Sequence, residues 1–168
     1  LSVYSKSKYK ASKNLLKLFI RKKFPATILR LYQVYGPKQD LNRFLPIVIN
    51  NCIKNKTFPC SHGNQFRDFI HVDDVVSAIF CALKKPKAEG KIINIGSGKP
   101  IKIKNIIFLI KKIVKGGNPE LGKIVLRKEE NLTTYPSTKK IKKIVGWKPK
   151  VSLHDGLKKT INYYKKNQ

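Results

Sequence analysis

Acidic residues are scarce in this chain of 168 residues, nine against 37 basic ones, which leaves a formal charge of +28. Arginine is scarce as well: five of the 37 are Arg and the other 32 are Lys. Methionine is absent and the sequence opens on Leu1, so the expectation is a processed, cropped or partial chain. Cysteine is thinly used, at Cys52, Cys60 and Cys81. No pair forms Cys-x-x-Cys and none has a His at metal-ligand spacing, so the three are expected to be buried or half-buried thiols. A sparse, odd set of thiols fits a reducing compartment, and the expected location is the cytoplasm. Long hydrophobic runs are also missing. The most apolar stretch, Val75 to Leu83, is too short to cross a bilayer. No signal-peptide pattern is visible.

The positive charge first suggests nucleic acid. The details weaken that reading. Lys far outnumbers Arg, whereas base and phosphate contacts favour Arg. The lysines are spread along the chain instead of gathered in a tail. Ile and Asn are abundant too, and Lys, Ile and Asn share AT-rich codons, so genome composition suffices as a cause. No specific nucleic-acid partner is expected. A basic nucleic-acid-binding module is the competing reading from another class, and it requires steeply salt-dependent binding.

What is present is an alternation of strand and helix signals, which indicates an α/β fold. Tyr4 to about Lys22 reads as a helix with Leu15, Leu16, Phe19 and Ile20 on one side. Ala26 to Tyr32 reads as a strand buried on both faces, ended by Gly36-Pro37. Arg43 to Asn55 reads as a helix, and Phe58 to Cys60 and Arg67 to Val72 as extended. Asp73 or Asp74 is expected to cap a helix that runs to about Lys85, before Pro86. Lys91 to Ile95 is a further buried-type strand. Asn105 to Lys115 reads as a helix closed by Gly116-Gly117, and Ile124 to Arg127 as a short strand. A small helix follows from Ser137 to Gly146. Ser152 and Asp155 resemble a capping box for a final helix, Leu153 to Lys166. Trp147 is expected to pack that last helix onto the body.

The chemistry-bearing segment comes first. Tyr4 and Lys8 lie four residues apart at the start of a helix, hence on one face. A Lys ammonium near a phenol favours the phenolate and makes the Tyr a general acid/base. Alone the pair is weak evidence, since Tyr9 and Lys13 repeat it. Four later segments add to it in order: Leu29-Arg30-Leu31-Tyr32-Gln33-Val34-Tyr35-Gly36-Pro37, Arg67-Asp68-Phe69-Ile70-His71-Val72-Asp73-Asp74, Asn94-Ile95-Gly96-Ser97-Gly98 and Gly146-Trp147-Lys148-Pro149.

In this order and combination the segments resemble the C-terminal half of the extended short-chain dehydrogenase/reductase family, the NAD-dependent nucleotide-sugar epimerases and dehydratases. The resemblance covers nearly the whole chain. It implies the C-terminal part of a Rossmann-like parallel sheet plus a small α/β substrate-binding subdomain. Residues 1–36 and 66–96 would belong to the NAD(P)-binding part, and 37–65 and 97–168 to the nucleotide-sugar-binding part. By resemblance, Tyr4 is the catalytic acid/base and Lys8 holds the nicotinamide ribose and favours the phenolate. NAD or NADP would take a hydride from the sugar, leaving a transient ketone. Tyr32 and Val34 would approach the cofactor, and Gln33 the substrate. Arg67 and Arg127 fall where the family grips a diphosphate, and Arg43 begins a helix facing the same phosphates. The alternative for these arginines is structural ion pairing; for Arg67 the expected partners are Asp68, Asp73 or Asp74.

The implied activity is that of a 4-epimerase or 4-keto reductase, with a 4,6-dehydratase as the alternative. The implied substrate is a nucleotide-diphosphate sugar and the implied assembly a homodimer. The Gly-rich dinucleotide fingerprint is absent, and the family carries it upstream of the Tyr. The isolated chain is therefore expected to be inactive. Gln33 stands where many members have Asn, and Ser12 where Glu is common. His71 is read as a packed, hydrogen-bonded residue, and Gly96-Ser97-Gly98 as a strand-end turn.

Overall fold

The structure, a computed structural model, describes residues 2–127 and 129–167. Helix α1 (Val3–Lys22) starts at Ser2, whose Oγ accepts the Ser5 N–H, and ends where Lys23 turns left-handed with φ 54°. None of its residues is buried. Strands β1 (Ile28–Leu31) and β2 (Gln33–Tyr35) follow, then α2 (Phe44–Ile53), β3 (Thr57–Pro59), β4 (Phe66–Arg67) and β5 (Phe69–His71). Helix α3 (Val72–Leu83) leads through a 3₁₀ turn at Pro86–Ala88 to β6 (Ile92–Ile95). The chain closes with β7 (Ile101–Lys102), α4 (Ile103–Val114), β8 (Asn118–Glu120), β9 (Thr133–Thr134), α5 (Lys139–Val145) and α6 (Leu153–Lys166).

Parallel pairing dominates, as the strand–helix alternation predicts. β1 lies beside β6, Ile28 opposite Ile92 through Leu31 opposite Ile95. β2 lies beside β5, Gln33 opposite Phe69 and Tyr35 opposite His71. β3 and β8 are also parallel, and β4 runs antiparallel to β7 and parallel to β9. The change of partner between β1 and β2 takes a single residue. The Tyr32 N–H bonds Ile95 O at 3.0 Å and the Gln33 N–H bonds Asp68 O at 3.1 Å. The strand thus leaves β6 and joins β5 without a loop.

Two apolar cores form. One joins α2, α4 and α6 around Ile49, Ile106, Ile107, Ile110, Leu157 and Ile161. Each such side chain, fully removed from water, contributes about 1.5–3 kcal/mol. The other joins β6, α3, α5 and Trp147 around Ile70, Val75, Ala78, Ile93, Ile95 and Ile141. Residues 139–147 therefore pack with β6 and α3, across the expected boundary at residue 97. Buried Asp74 ties the two regions together: its carboxylate accepts the Lys150 N–H at 2.9 Å and the Val151 N–H at 3.0 Å, just before α6.

The sequence reading needs four corrections. β1 is not buried on both faces: Arg30 is exposed and Leu31 is 48% exposed, because β6 is its one strand partner among the described residues. The cap of α3 is His71, whose side chain accepts the Asp73 N–H, while Asp73 and Asp74 occupy the first turn. Residues 124–127 form no strand: Val125 is 91% exposed, and the Ile124 N–H makes only a single bond, to Cys60 O. Trp147 packs α5 against α3 and donates Nε1–H to Ser77 Oγ at 3.3 Å; the last helix belongs to the other core. The capping box of α6 is as expected, with Ser152 Oγ accepting from the Asp155 N–H at 3.1 Å.

Candidate active site and substrate cavity

Tyr4 and Lys8 sit on the first turns of α1, on one face, with Lys8 Nζ 5.6 Å from the centre of the Tyr4 ring. Both are exposed, Tyr4 by 71%. Tyr9 and Lys13 repeat the arrangement at 5.5 Å, so the geometry of the pair does not itself single out Tyr4.

Tyr32, Gln33, Val34, Arg43 and Arg67 cluster about the carboxyl ends of β1 and β6, where the strand changes partner. Ligands of open α/β sheets bind at such switch points. Three adjoining cavities open there. A cavity of about 360 Å³ is lined by Phe44, Val48, Phe58, Ile103 and Ile107, with Gln33, Ser61, Gln65, Arg67 and Glu130 as its polar wall. A second, of about 530 Å³, is lined by Tyr32, Gln33, Arg67, Asn94 and Thr134. A third, of about 510 Å³, meets Tyr32, Gln33, Val34, Asn42 and Arg43. Gln33 borders all three, and Arg67 stands between the first two. Tyr4, Lys8 and Arg127 line none of these three.

Arg67 is 9% exposed and is positioned from two sides. Its Nη1 donates to Phe66 O at 2.7 Å, and its Nη2 forms an ion pair with Glu130. The expected partners Asp68, Asp73 and Asp74 are not used. Sequence reasoning missed Glu130, which lies 63 residues further on. The one available signal is its rarity, an acidic side chain in a chain with nine. Arg43 is the exposed N-cap residue of α2 and makes no side-chain capping bond. Arg127 is exposed.

The motif aspartates and histidine are structural. Asp68, fully buried, accepts the Ser97 N–H at 2.6 Å and the Ser97 hydroxyl at 3.0 Å. Burial raises its pKa, and the hydrogen bonds from Ser97, Gly98 and Lys99 oppose that. Gly96-Ser97-Gly98 is thus a strand-end turn, as read, clamped to Asp68 between β4 and β5. His71 is 2% exposed, and burial lowers its pKa while Asp73 opposes the shift. Its Nδ1 accepts the Asp73 N–H at 3.2 Å, and Tyr35 stacks edge-on at 5.4 Å. Among the described residues, no group of three His, Cys, Asp or Glu side chains could hold a metal ion, and no helix is long and apolar enough to cross a membrane.

A parallel α/β layer with cavities at the carboxyl ends of its strands is a Rossmann-like arrangement. Residues 1–96 match the profile of the NAD dependent epimerase/dehydratase family. A CDP-abequose synthase from Salmonella muenchen is 32% identical over 136 residues, 80% of this chain and 46% of that protein. A dTDP-D-glucose 4,6-dehydratase from Mus musculus is 32% identical over 171 residues, 98% of this chain and 48% of that protein. The crystal structure of a UDP-glucose 4-epimerase from Thermotoga maritima with UDP-glucose superposes with a TM-score of 0.89 at 29% identity, over 99% of this chain and 54% of that one. The chain belongs to the NAD-dependent epimerase/dehydratase family. It spans about half the length of the relatives it matches.

Proposed function

We propose that this chain is the proton-transfer and substrate-binding half of an NAD(P)-dependent nucleotide-sugar 4-epimerase or 4-keto reductase, with a 4,6-dehydratase of the same family as the alternative. The observation that carries the reading is Arg67, a buried guanidinium between an apolar cavity and a polar one. A nucleotide sugar has that order: a flat base, a diphosphate, then a hydroxylated ring. The base enters the apolar cavity, the diphosphate crosses Arg67, and the sugar lies near Tyr32, Gln33 and Asn94. Arg43 and Arg127 are further diphosphate contacts in this reading. The surplus positive charge steers such an anion toward the site.

The residues present fit a dinucleotide in part. Lys8 and Tyr4 share an open face, so the ammonium can hold a ribose diol while the phenol stays near it. Tyr32 and Val34 stand where the nicotinamide ring would approach, at the strand ends. When bound, NAD(P) supplies the hydride acceptor for the sugar carbon. Tyr4, held as the phenolate by Lys8, would take the proton of the sugar hydroxyl as the ketone forms, and as the phenol would return it when the ketone is reduced.

The division into a cofactor part (1–36, 66–96) and a substrate part (37–65, 97–168) belongs to the same proposal, with α5 and Trp147 packed on the cofactor side. We also assign the complete protein to the cytoplasm, on the three free thiols of this chain. Its homodimer contact is assigned to α1, whose Leu15, Leu18 and Ile20 are exposed.

Turnover by the complete protein tests the catalytic assignment. Tyr4→Phe is expected to lower kcat by about 10²–10⁴-fold, the usual scale of a lost general acid/base. Lys8→Ala should weaken the cofactor as well. Unchanged turnover in both variants would remove Tyr4 and Lys8 from the mechanism.

A further inference from the structure

We propose that Gln65 reads the nucleobase, its amide carbonyl accepting the ring N–H of a uracil-type base in the cavity of about 360 Å³. The inference rests on the nucleotide reading of that cavity and names the base it selects. The relatives' names carry cytidine, thymidine and uridine diphosphates alike, so kinship leaves the choice open.

The walls explain why one side chain decides. Phe44, Phe58, Ile103 and Ile107 give a base apolar surface to stack on but no hydrogen bonds to read. Arg67 and Glu130 occupy each other at one end. Of the neutral polar wall, Ser61 and Gln65 are neighbours. Gln65 is 7% exposed, and its Oε1 is buried with no hydrogen-bond partner among the described residues. Its Nε2 has one contact, to Ser61 Oγ at 3.5 Å, the outer limit of a hydrogen bond. Buried carbonyls are rarely left without a donor, and their desolvation is recovered only when a donor arrives.

The backbone around this amide is held firmly. Gln65 O accepts the Ile103 N–H and Gly63 O accepts the Lys104 N–H, both at 3.0 Å, at the start of α4. The side chain is therefore anchored at one end and loosely bonded at the other. Gln65 lines the cavity, and its last torsion, a soft one for Gln, lets Oε1 turn to a base there at the cost of only the long Nε2 contact to Ser61. A uracil-type base presents N3–H between two carbonyls. N3–H donates to Oε1, and the adjacent carbonyl accepts from the Ser61 hydroxyl. Cytosine in the same register sets its unprotonated N3 against Oε1, acceptor against acceptor.

Calorimetric titration of the full chain with UDP and CDP tests this. UDP is expected to bind about tenfold tighter, the worth of one hydrogen bond kept against one replaced by repulsion. Gln65→Met, similar in shape but without an acceptor, should bring the two within about twofold by weakening UDP. Gln65→Glu keeps an acceptor and should keep the preference. If either variant melts before binding can be read, Ser61→Ala serves in its place and should lower the UDP-to-CDP ratio. Equal or tighter CDP binding overturns the proposal, as does a preference that survives Gln65→Met or a UDP-to-CDP ratio unchanged by Ser61→Ala. Failure of both nucleotides to bind the native chain overturns the cavity reading itself, and the base assignment with it.

Discussion

His71 shows what a single side chain does in this fold. It caps α3 through Nδ1, which must then be unprotonated. Burial lowers its pKa below the usual value near 6.5. The folded chain therefore binds a proton less readily than the unfolded one. Stability from this group is complete above about pH 6.5 and declines as pH falls toward the lowered value. Asp68 has the opposite sign, since its raised pKa costs stability as pH rises through it. Comparison of variants separates the two. Melting temperature from pH 7.5 to 5.5 should fall for the native chain. It should fall less for His71→Asn, which retains a capping acceptor and cannot titrate. A slope identical in both would exclude His71 as its source. The ring's capping role was not legible in sequence, because two aspartates in the next positions offered the commoner cap. The partner of Arg67 was hidden for another reason: no local rule links residues 67 and 130.

At the level of elements, punctuation made most boundaries readable. Gly36-Pro37 ends β2, Gly146 closes α5 with φ 74°, and Ser152 with Asp155 opens α6. Packing partners were less readable, since Trp147 is equally suited to α6 or α3 by sequence alone. The cavity-lining set could be placed only in part. Tyr32, Gln33 and Arg67 carried a motif, whereas Ser61, Gln65 and Glu130 did not. Gly156 in α6 gives an element-scale test. A helix-interior Gly→Ala change ordinarily stabilises by about 0.5–1 kcal/mol. Here a Cβ would run into the Tyr35 hydroxyl, which also approaches Leu153 O at 3.4 Å. Gly156→Ala is therefore expected to destabilise by about 1–3 kcal/mol, as overpacking does. The cost should shrink in a Tyr35→Phe background. Chemical denaturation of the four chains measures both effects, and a stabilised single variant would contradict the contact.

Across the whole molecule, several apolar surfaces are unfinished. α1 has no buried residue, β1 ends on a half-exposed Leu31, and α3 turns Val76, Phe80 and Leu83 outward. Apolar faces of this kind are covered by more protein or they self-associate. The isolated chain is expected to sediment as dimers or larger species. It should also show no NAD binding in a fluorescence titration, because the Gly-rich fingerprint is absent. A monodisperse monomer, or measurable NAD affinity, would contradict the division of labour drawn above. The fold class was legible because hydrophobic period is a local property; the exposure of β1 was not, because burial depends on what else is present.

Asp68 holds the turn at Ser97 and Asp74 the approach to α6, while Asp73 pairs with Lys159 and the Asp155 carboxylate accepts the Ser152 hydroxyl at 2.6 Å. Asp40 accepts the Asn42 N–H at 3.3 Å. All five aspartates are thus engaged by donors of the chain itself. Exchanging any of these five aspartates for lysine would strand a donor or set cation against cation. Compositional drift has here met a structural floor: further lysines can accumulate on the outside, but these five sites can change only together with the groups they hold.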